Sequence, residues 1–219
     1  MGAATDQLLA MMPTREGFAP AFDDIRDLQV AAMNERLQEV GQRIKLVKMR
    51  AADAGIDAIS SHADMVPLLL PHTAYKSYPE SFLHERKWDK LTRWLGTVTA
   101  CPVAGVDLAG VEDMDQWADA CAAAGVFVSC SSGTTGKPAM LPAARSDLEF
   151  AGAENIEAVQ WGSAIRFGEK RVMAGYGATA QSPRNNATGG ALVGAFVDHT
   201  RLATSKIPAI ALRSVIIFE

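Results

Sequence analysis

The chain is poor in cysteine. Three occur in 219 residues, Cys101, Cys121 and Cys130, and no two of them form a CxxC pair. A disulfide framework and a cysteine-built zinc site are therefore excluded. Free thiols in this number suit a reducing compartment, and the cytoplasm is the expected location. Long apolar runs are missing as well. The N-terminus, MGAATDQLLAMMPTREGF, holds an apolar stretch of about five residues, too short for a secretory signal. Asp6 stands where N-myristoylation needs Ser or Thr. No segment approaches the roughly 20 apolar residues of a membrane span, so no span is expected. Basic charge is not in excess: 21 Lys and Arg against 25 Asp and Glu give a net charge of -4. That balance argues against a broad nucleic-acid-binding surface.

Histidine is also scarce, with four in the chain. His84-Glu85-Arg86-Lys87-Trp88 begins like HExxH, but Trp88 replaces the second histidine and the zinc pattern fails. His62, His72 and His199 have no metal-ligand spacing, and no metal site is expected. Tyr75, Lys76, Tyr78, Lys87 and Trp88 offer stacking and charge for a single strand, but the acidic balance opposes that use. Asn186-Ala187-Thr188 is a glycosylation sequon that lacks a secretory signal to bring it into use. Ser132 is not a G-x-S-x-G nucleophile, since Cys130 lies two residues before it.

What is present is an ordinary globular composition, 48% apolar and 21% charged, with length for one or two domains. Residues 1–22 read as a loose lead-in. From about Asp23 to Asp53 the pattern predicts one helix. Met33, Leu37, Val40, Ile44 and Val47 recur at spacings of four and three, forming a stripe that caps a core. Asp23, Asp24 and Asp27 near its start, and Lys45, Lys48 and Arg50 near its end, suit the helix dipole; Gly55 is the stop. A connector over 61–78 ends in Tyr75-Lys76-Ser77-Tyr78-Pro79. Pro79 at a first position predicts a helix to Leu95 with Phe82, Trp88, Leu91 and Leu95 as its stripe. A third helix, about Glu112 to Ala124, carries Glu112, Asp113, Asp115 and Asp119 on a solvated flank and stops at Gly125.

Val126-Phe127-Val128-Ser129-Cys130 is a short apolar run between turn signals, read as a buried strand. Ala139-Met140-Leu141 is a short strand. Ser146-Asp147-Leu148-Glu149 has capping-box spacing and opens a helix to about Ile165. Residues 170–177 read as strand and turn, 180–190 as a polar loop, 189–201 as a helix and 207–218 as a strand. The fold class is α/β: a helical region over 23–124, then alternating strands and helices over 125–219.

Between the two strands lies Ser131-Ser132-Gly133-Thr134-Thr135-Gly136-Lys137-Pro138. The glycines permit unusual backbone angles and close approach of a large anion. Successive N–H groups can converge on phosphate oxygens as a nest. The hydroxyls add donors, Lys137 adds a positive charge, and Pro138 sets the exit angle. This is not the GxxxxGK[ST] loop, because Ser131 stands in place of the first glycine and Pro138 follows Lys137. A Ser/Gly-rich surface hairpin is the competing reading, and the order of all eight residues after a buried strand disfavours it.

The string resembles the phosphate loop of the adenylate-forming superfamily, which includes acyl-CoA synthetases, nonribosomal-peptide adenylation domains and luciferases. Ala139 replaces the lysine usual after the proline, while Lys137 precedes it, as in the phenylacetate–CoA ligase branch. Pro142-Ala143-Ala144-Arg145-Ser146-Asp147-Leu148 and Gly168-Glu169-Lys170-Arg171-Val172-Met173, followed by Gly175-Tyr176-Gly177, are similar to the same branch. The likeness covers about residues 120–180. It implies the partial large N-terminal domain of a ligase that joins a small-molecule carboxylic acid to AMP and then to coenzyme A. ATP with Mg2+ would supply the adenylate. The acid could be aryl, fatty or amino. Ser132, Thr134 and Thr135 would act as hydroxyl donors and Gly133 and Gly136 as backbone donors, with Ser131 opening the loop and Lys137 as an auxiliary cation.

Later motifs of that superfamily are not found. Tyr176-Gly177-Ala178-Thr179-Ala180 has Ala180 where a glutamate is needed, and no Thr-Gly-Asp occurs. The chain stops in Val215-Ile216-Ile217-Phe218-Glu219. Residues 23–219 are thus expected to be an incomplete adenylation domain, whose interrupted sheet edge favours self-association. Two other readings stay open: a noncatalytic nucleotide- or phosphate-binding regulatory module, and a helical interaction scaffold using residues 23–53. The expected outcome for the purified 219-residue chain is no carboxylate-dependent ATP–pyrophosphate exchange. Robust exchange would overturn the fragment reading.

Overall fold

The structure, a computed structural model, describes residues 2–12, 15–131, 137–162, 174–175 and 203–204. Where a loose lead-in is expected, Ala3–Met11 forms helix α1. Its first turn is closed from a distance. The N–H groups of Ala4 and Thr5 donate to the Glu35 carboxylate at 3.0 and 2.8 Å, and the Thr5 hydroxyl donates at 2.7 Å. Those bonds, the hydroxyl's first, hold the Glu35 carboxyl below its ordinary range. The helix has no local cap, so its own residues do not announce it.

The expected long helix is two. Helix α2 spans Phe22–Arg43 and α3 spans Lys45–Ala54, separated by Ile44 at φ -108° and ψ 100°. A β-branched residue tolerates this extended backbone, and Ile44 and Val47 are both buried. Helix α3 ends as expected at Gly55, whose φ of 65° is left-handed. Asn34 pins the chain that follows α3: its amide donates to the Ile59 carbonyl at 2.7 Å and accepts from the Ile59 N–H at 2.8 Å. The α2 stripe departs from the expected core cap. Met33, Leu37 and Val40 are only half-buried, and they line a cavity of about 1050 Å3 whose other wall includes Pro142, Ala143 and Phe150.

The connector carries helix α4, His62–Met65, and two short 3-10 turns, Val66–Leu68 and Ala74–Lys76. The expected helix 79–95 is likewise split, into α5, Ser81–His84, and α6, Trp88–Leu95. The break passes through Arg86 at φ 53°. In one straight helix Phe82 and Trp88 would point about 120° apart. The left-handed residue lets both reach the same core.

Helix α7, Met114–Ala123, starts where Asp113 accepts from the Gln116 N–H at 2.9 Å. Its carboxylates Asp115 and Asp119 are exposed, while Trp117 and Cys121 are buried. Gly125, at φ 85°, turns the chain directly into strand β1, Val126–Cys130. Strand β2, Met140–Ala144, pairs antiparallel with it, from Val126 opposite Ala144 to Cys130 opposite Met140. Helix α8, Arg145–Gly162, follows at once. Its cap is Asp147, which accepts from the Ala144 N–H at 2.8 Å, and not the box spaced from Ser146 to Glu149. Two further strands, β3 (Ala174–Gly175) and β4 (Ala203–Thr204), form a short parallel pair.

The described residues therefore make a helix-rich mixed fold with two small sheets. The expected elements over 189–201 and 207–218, most of 170–177, and the supposed sheet edge at 215–218 lie outside the described residues. No described helix is long and apolar enough to cross a membrane.

The main core gathers Tyr78, Trp88, Leu91, Leu95, Trp117, Cys121, Val126, Val128 and Met140. Phe127 turns the other way and packs with Ala143 and Leu148. Strand β1 is covered on both faces, which is why its sequence is a continuous apolar run and does not alternate. Inside the core the Trp117 indole donates to the Thr92 hydroxyl at 2.8 Å, and that hydroxyl donates to the Trp88 carbonyl at 2.8 Å. Leu91 is fully buried between these layers. Leu91→Ala is expected to lower unfolding free energy by about 2–5 kcal/mol in urea titration. A loss below about 1 kcal/mol would mean that α6 does not form this core.

Candidate functional site

Strands β1 and β2 present the loop that joins them. Beyond the Cys130–Met140 pair the hairpin continues for one more step. The Ser131 N–H donates to the Ala139 carbonyl at 2.9 Å, and the Ala139 N–H donates to the Ser131 hydroxyl at 2.8 Å. Ser131, expected to open a phosphate loop, thus spends its side chain on closing the stem. Residues 132–136, which include Ser132, Gly133, Thr134, Thr135 and Gly136, lie outside the described residues.

On the exit arm, three consecutive residues are held. Ala139 is bonded to Ser131 as above. The Pro138 carbonyl accepts from the Tyr78 hydroxyl at 2.8 Å. The Lys137 ammonium donates to the Tyr78 carbonyl and lies 4.7 Å from the centre of the Tyr78 ring. A cation placed over an aromatic face gains electrostatically from the ring quadrupole. Lys137 is therefore not a loose surface cation; its charge is fixed at the mouth of the loop.

Tyr78 itself is immobilised. It is fully buried, and its ring meets the Trp94 ring edge-on with centroids 4.8 Å apart. The Trp94 indole donates to the Ser77 hydroxyl at 2.9 Å, and Ser77 donates to the Ala74 carbonyl at 2.8 Å. Burial, then the nearby Cys130 and Glu80, push the Tyr78 phenol well above its ordinary pKa, so it remains a donor across the neutral range. Reading the sequence did not single out Tyr78 for the site. The one available signal was an aromatic-rich string ending the connector just before Pro79, and such a string has many other uses.

Two thiols sit in the same region. Burial pushes Cys121 up to about 12. Burial first, and then the negative charge of Asp115, push Cys130 up to about 11. Both sulfurs are thus protonated and poorly nucleophilic at neutral pH. Among the described residues no cluster of His, Cys, Asp or Glu is arranged to hold a metal ion. Among the described residues, Ser131, Lys137 and Pro138 do not line the cavity beside α2. Comparison with protein-family models, with curated proteins and with solved structures finds no match.

Thiol labelling checks this geometry. At pH 8, Cys121 and Cys130 are expected to react with a disulfide reagent at least about two orders of magnitude more slowly than an unperturbed thiol. Cys101, which is partly exposed, should be labelled first. The sign of the pH dependence follows from the raised values. Stability from keeping these thiols protonated is complete below the unfolded thiol value of about 8.5. It is lost as pH rises towards about 11 for Cys130 and about 12 for Cys121. A urea midpoint that rises over this alkaline window would contradict the assignment.

Proposed function

We propose that the chain binds the phosphates of ATP through residues 131–137 and belongs to the ATP-binding part of an adenylate-forming, phenylacetate–CoA ligase-like enzyme. The observation that carries this reading is the string SSGTTGKP, joined to a hairpin whose strands are built into the core. Phosphate binding of this kind requires converging donors that do not have to be reorganised when the anion arrives. The buried strands and the bonded stem supply the rigid base. Gly133 and Gly136 supply backbone freedom, and Ser132, Thr134 and Thr135 supply hydroxyls. The fixed charge of Lys137 favours negative oxygens at the loop's mouth.

The chemistry of that class proceeds in two steps. A carboxylate oxygen of the acid attacks the α-phosphorus of ATP; the bond to the bridging oxygen breaks and pyrophosphate leaves. A thiol, that of coenzyme A, then attacks the acyl carbon and AMP departs with the electron pair of the broken C–O bond. The loop's part is to hold the β- and γ-phosphates and to stabilise the charge gathering on the leaving pyrophosphate. Magnesium enters with ATP, carried largely by phosphate oxygens.

Calorimetry with ATP and with pyrophosphate tests the reading, with circular dichroism to confirm folding. Gly133→Val is expected to abolish binding, because a β-branched side chain restricts the backbone and fills space meant for phosphate. Thr134→Val, which removes one hydroxyl at nearly constant volume, is expected to weaken binding about ten- to a hundredfold; a hydrogen bond to a charged group contributes roughly 1.5–3 kcal/mol. Lys137→Ala is expected to lose more affinity at low salt than at high salt. Equal binding by wild type and Gly133→Val would remove the basis of the proposal.

A further inference from the structure

We infer that Tyr78 is a positioning residue for the loop, fastening its exit arm through its hydroxyl, its carbonyl and its ring face. The inference rests on the phosphate-binding reading above, and it adds a residue from a different part of the chain. Tyr78 lies 60 positions before Pro138. Its hydroxyl takes the Pro138 carbonyl, and its own carbonyl and ring face take the Lys137 ammonium. With Ala139 bonded to Ser131 through its carbonyl and its N–H, residues 137, 138 and 139 are each tied to a fixed partner. The exit side of the connection between the strands is therefore held as far as Lys137.

The physical consequence concerns entropy. Each loop residue ordered by a ligand loses backbone freedom, and that loss subtracts from the affinity. A loop whose exit is already fixed loses less when phosphate binds. Tyr78 suits this task because it is itself over-determined: buried in the core, set edge-on against Trp94, and followed by Pro79. The arrangement also explains how Lys137 can stand before a proline at the loop's end without swinging into solvent. Its ammonium holds the arm and contributes its charge from a fixed point, so removing the Tyr78 hydroxyl leaves the charge in place.

Tyr78→Phe separates these roles, since it deletes the hydroxyl and keeps the ring and the backbone carbonyl. The probe is inorganic tripolyphosphate, followed by calorimetry on the full 219-residue chain. The matched control is Thr92→Val, which removes the core bonds to Trp117 and Trp88 and none to the exit arm. Tyr78→Phe is expected to weaken tripolyphosphate about tenfold, by the same factor at low and high salt, because no charge is lost. Amide hydrogen exchange should accelerate in the peptide spanning 131–139 of the free protein. Thr92→Val is expected to lower thermal stability and leave affinity within about twofold of wild type. If Tyr78→Phe does not fold, Lys137→Met, at a half-buried position, replaces it with the same expected exchange pattern. In that variant a larger affinity loss at low salt is added.

Unchanged affinity and exchange in a folded Tyr78→Phe would overturn the inference while leaving the phosphate-binding reading intact. Equal losses in Thr92→Val would reduce Tyr78 to a structural residue and overturn it as well. No tripolyphosphate binding by wild type would overturn both.

Discussion

The hydrogen bond from the buried Tyr78 hydroxyl to the Pro138 carbonyl joins two parts of the chain that lie 60 positions apart. On one side is an irregular connector with little regular structure of its own. On the other is the exit arm of the loop between β1 and β2. An unpaired phenol in a core is costly, and a proline carbonyl outside a strand ladder needs a donor. Each satisfies the other. The ring of Tyr78 then carries the Lys137 ammonium, and its edge contact with Trp94 returns the connector to α6. Removing this side chain would disturb the connector, the core and the loop together.

The hairpin is rigid for a related reason. Val126 and Val128 face the main core, and Phe127 faces Ala143 and Leu148. A two-stranded ribbon alone is marginal in water. Covering both faces with α7, α6 and α8 side chains makes this one part of a larger packed unit. A loop mounted on such strands inherits their fixed separation and direction.

The N-terminal helices follow another logic. Helix α1 is fixed to α2 through the Glu35 carboxylate, and Asn34 holds the chain after α3 through both of its amide groups. Polar side chains of α2 thus organise its neighbours. Its apolar residues Met33, Leu37 and Val40 line the cavity opposite Pro142 and Phe150. Amphipathic periodicity reports that a face is apolar. It does not report how tightly that face is packed.

The amino-acid sequence by itself determined the features whose causes are local. Strand Val126–Cys130 is legible as an apolar run between Gly125 and a Ser/Gly/Thr stretch. The stops at Gly55 and Gly125 are legible because each needs a left-handed residue at that point. The solvated flank of α7 is legible from the carboxylates beside Trp117 and Cys121. The types and order of residues 131–138 support the proposal of a phosphate loop without any tertiary input. Tertiary structure alone decided the breaks at Ile44 and Arg86 and the helix at Ala3–Met11. It also decided what Lys137 and Ser131 do with their side chains. The break at Arg86 lets Phe82 and Trp88, which would diverge on a straight helix, reach one core. The α1 cap and the Lys137 contact depend on partners about 30 and 59 positions away. No local pattern encodes such a partner; it is chosen only when burial brings an unpaired polar group and its complement together.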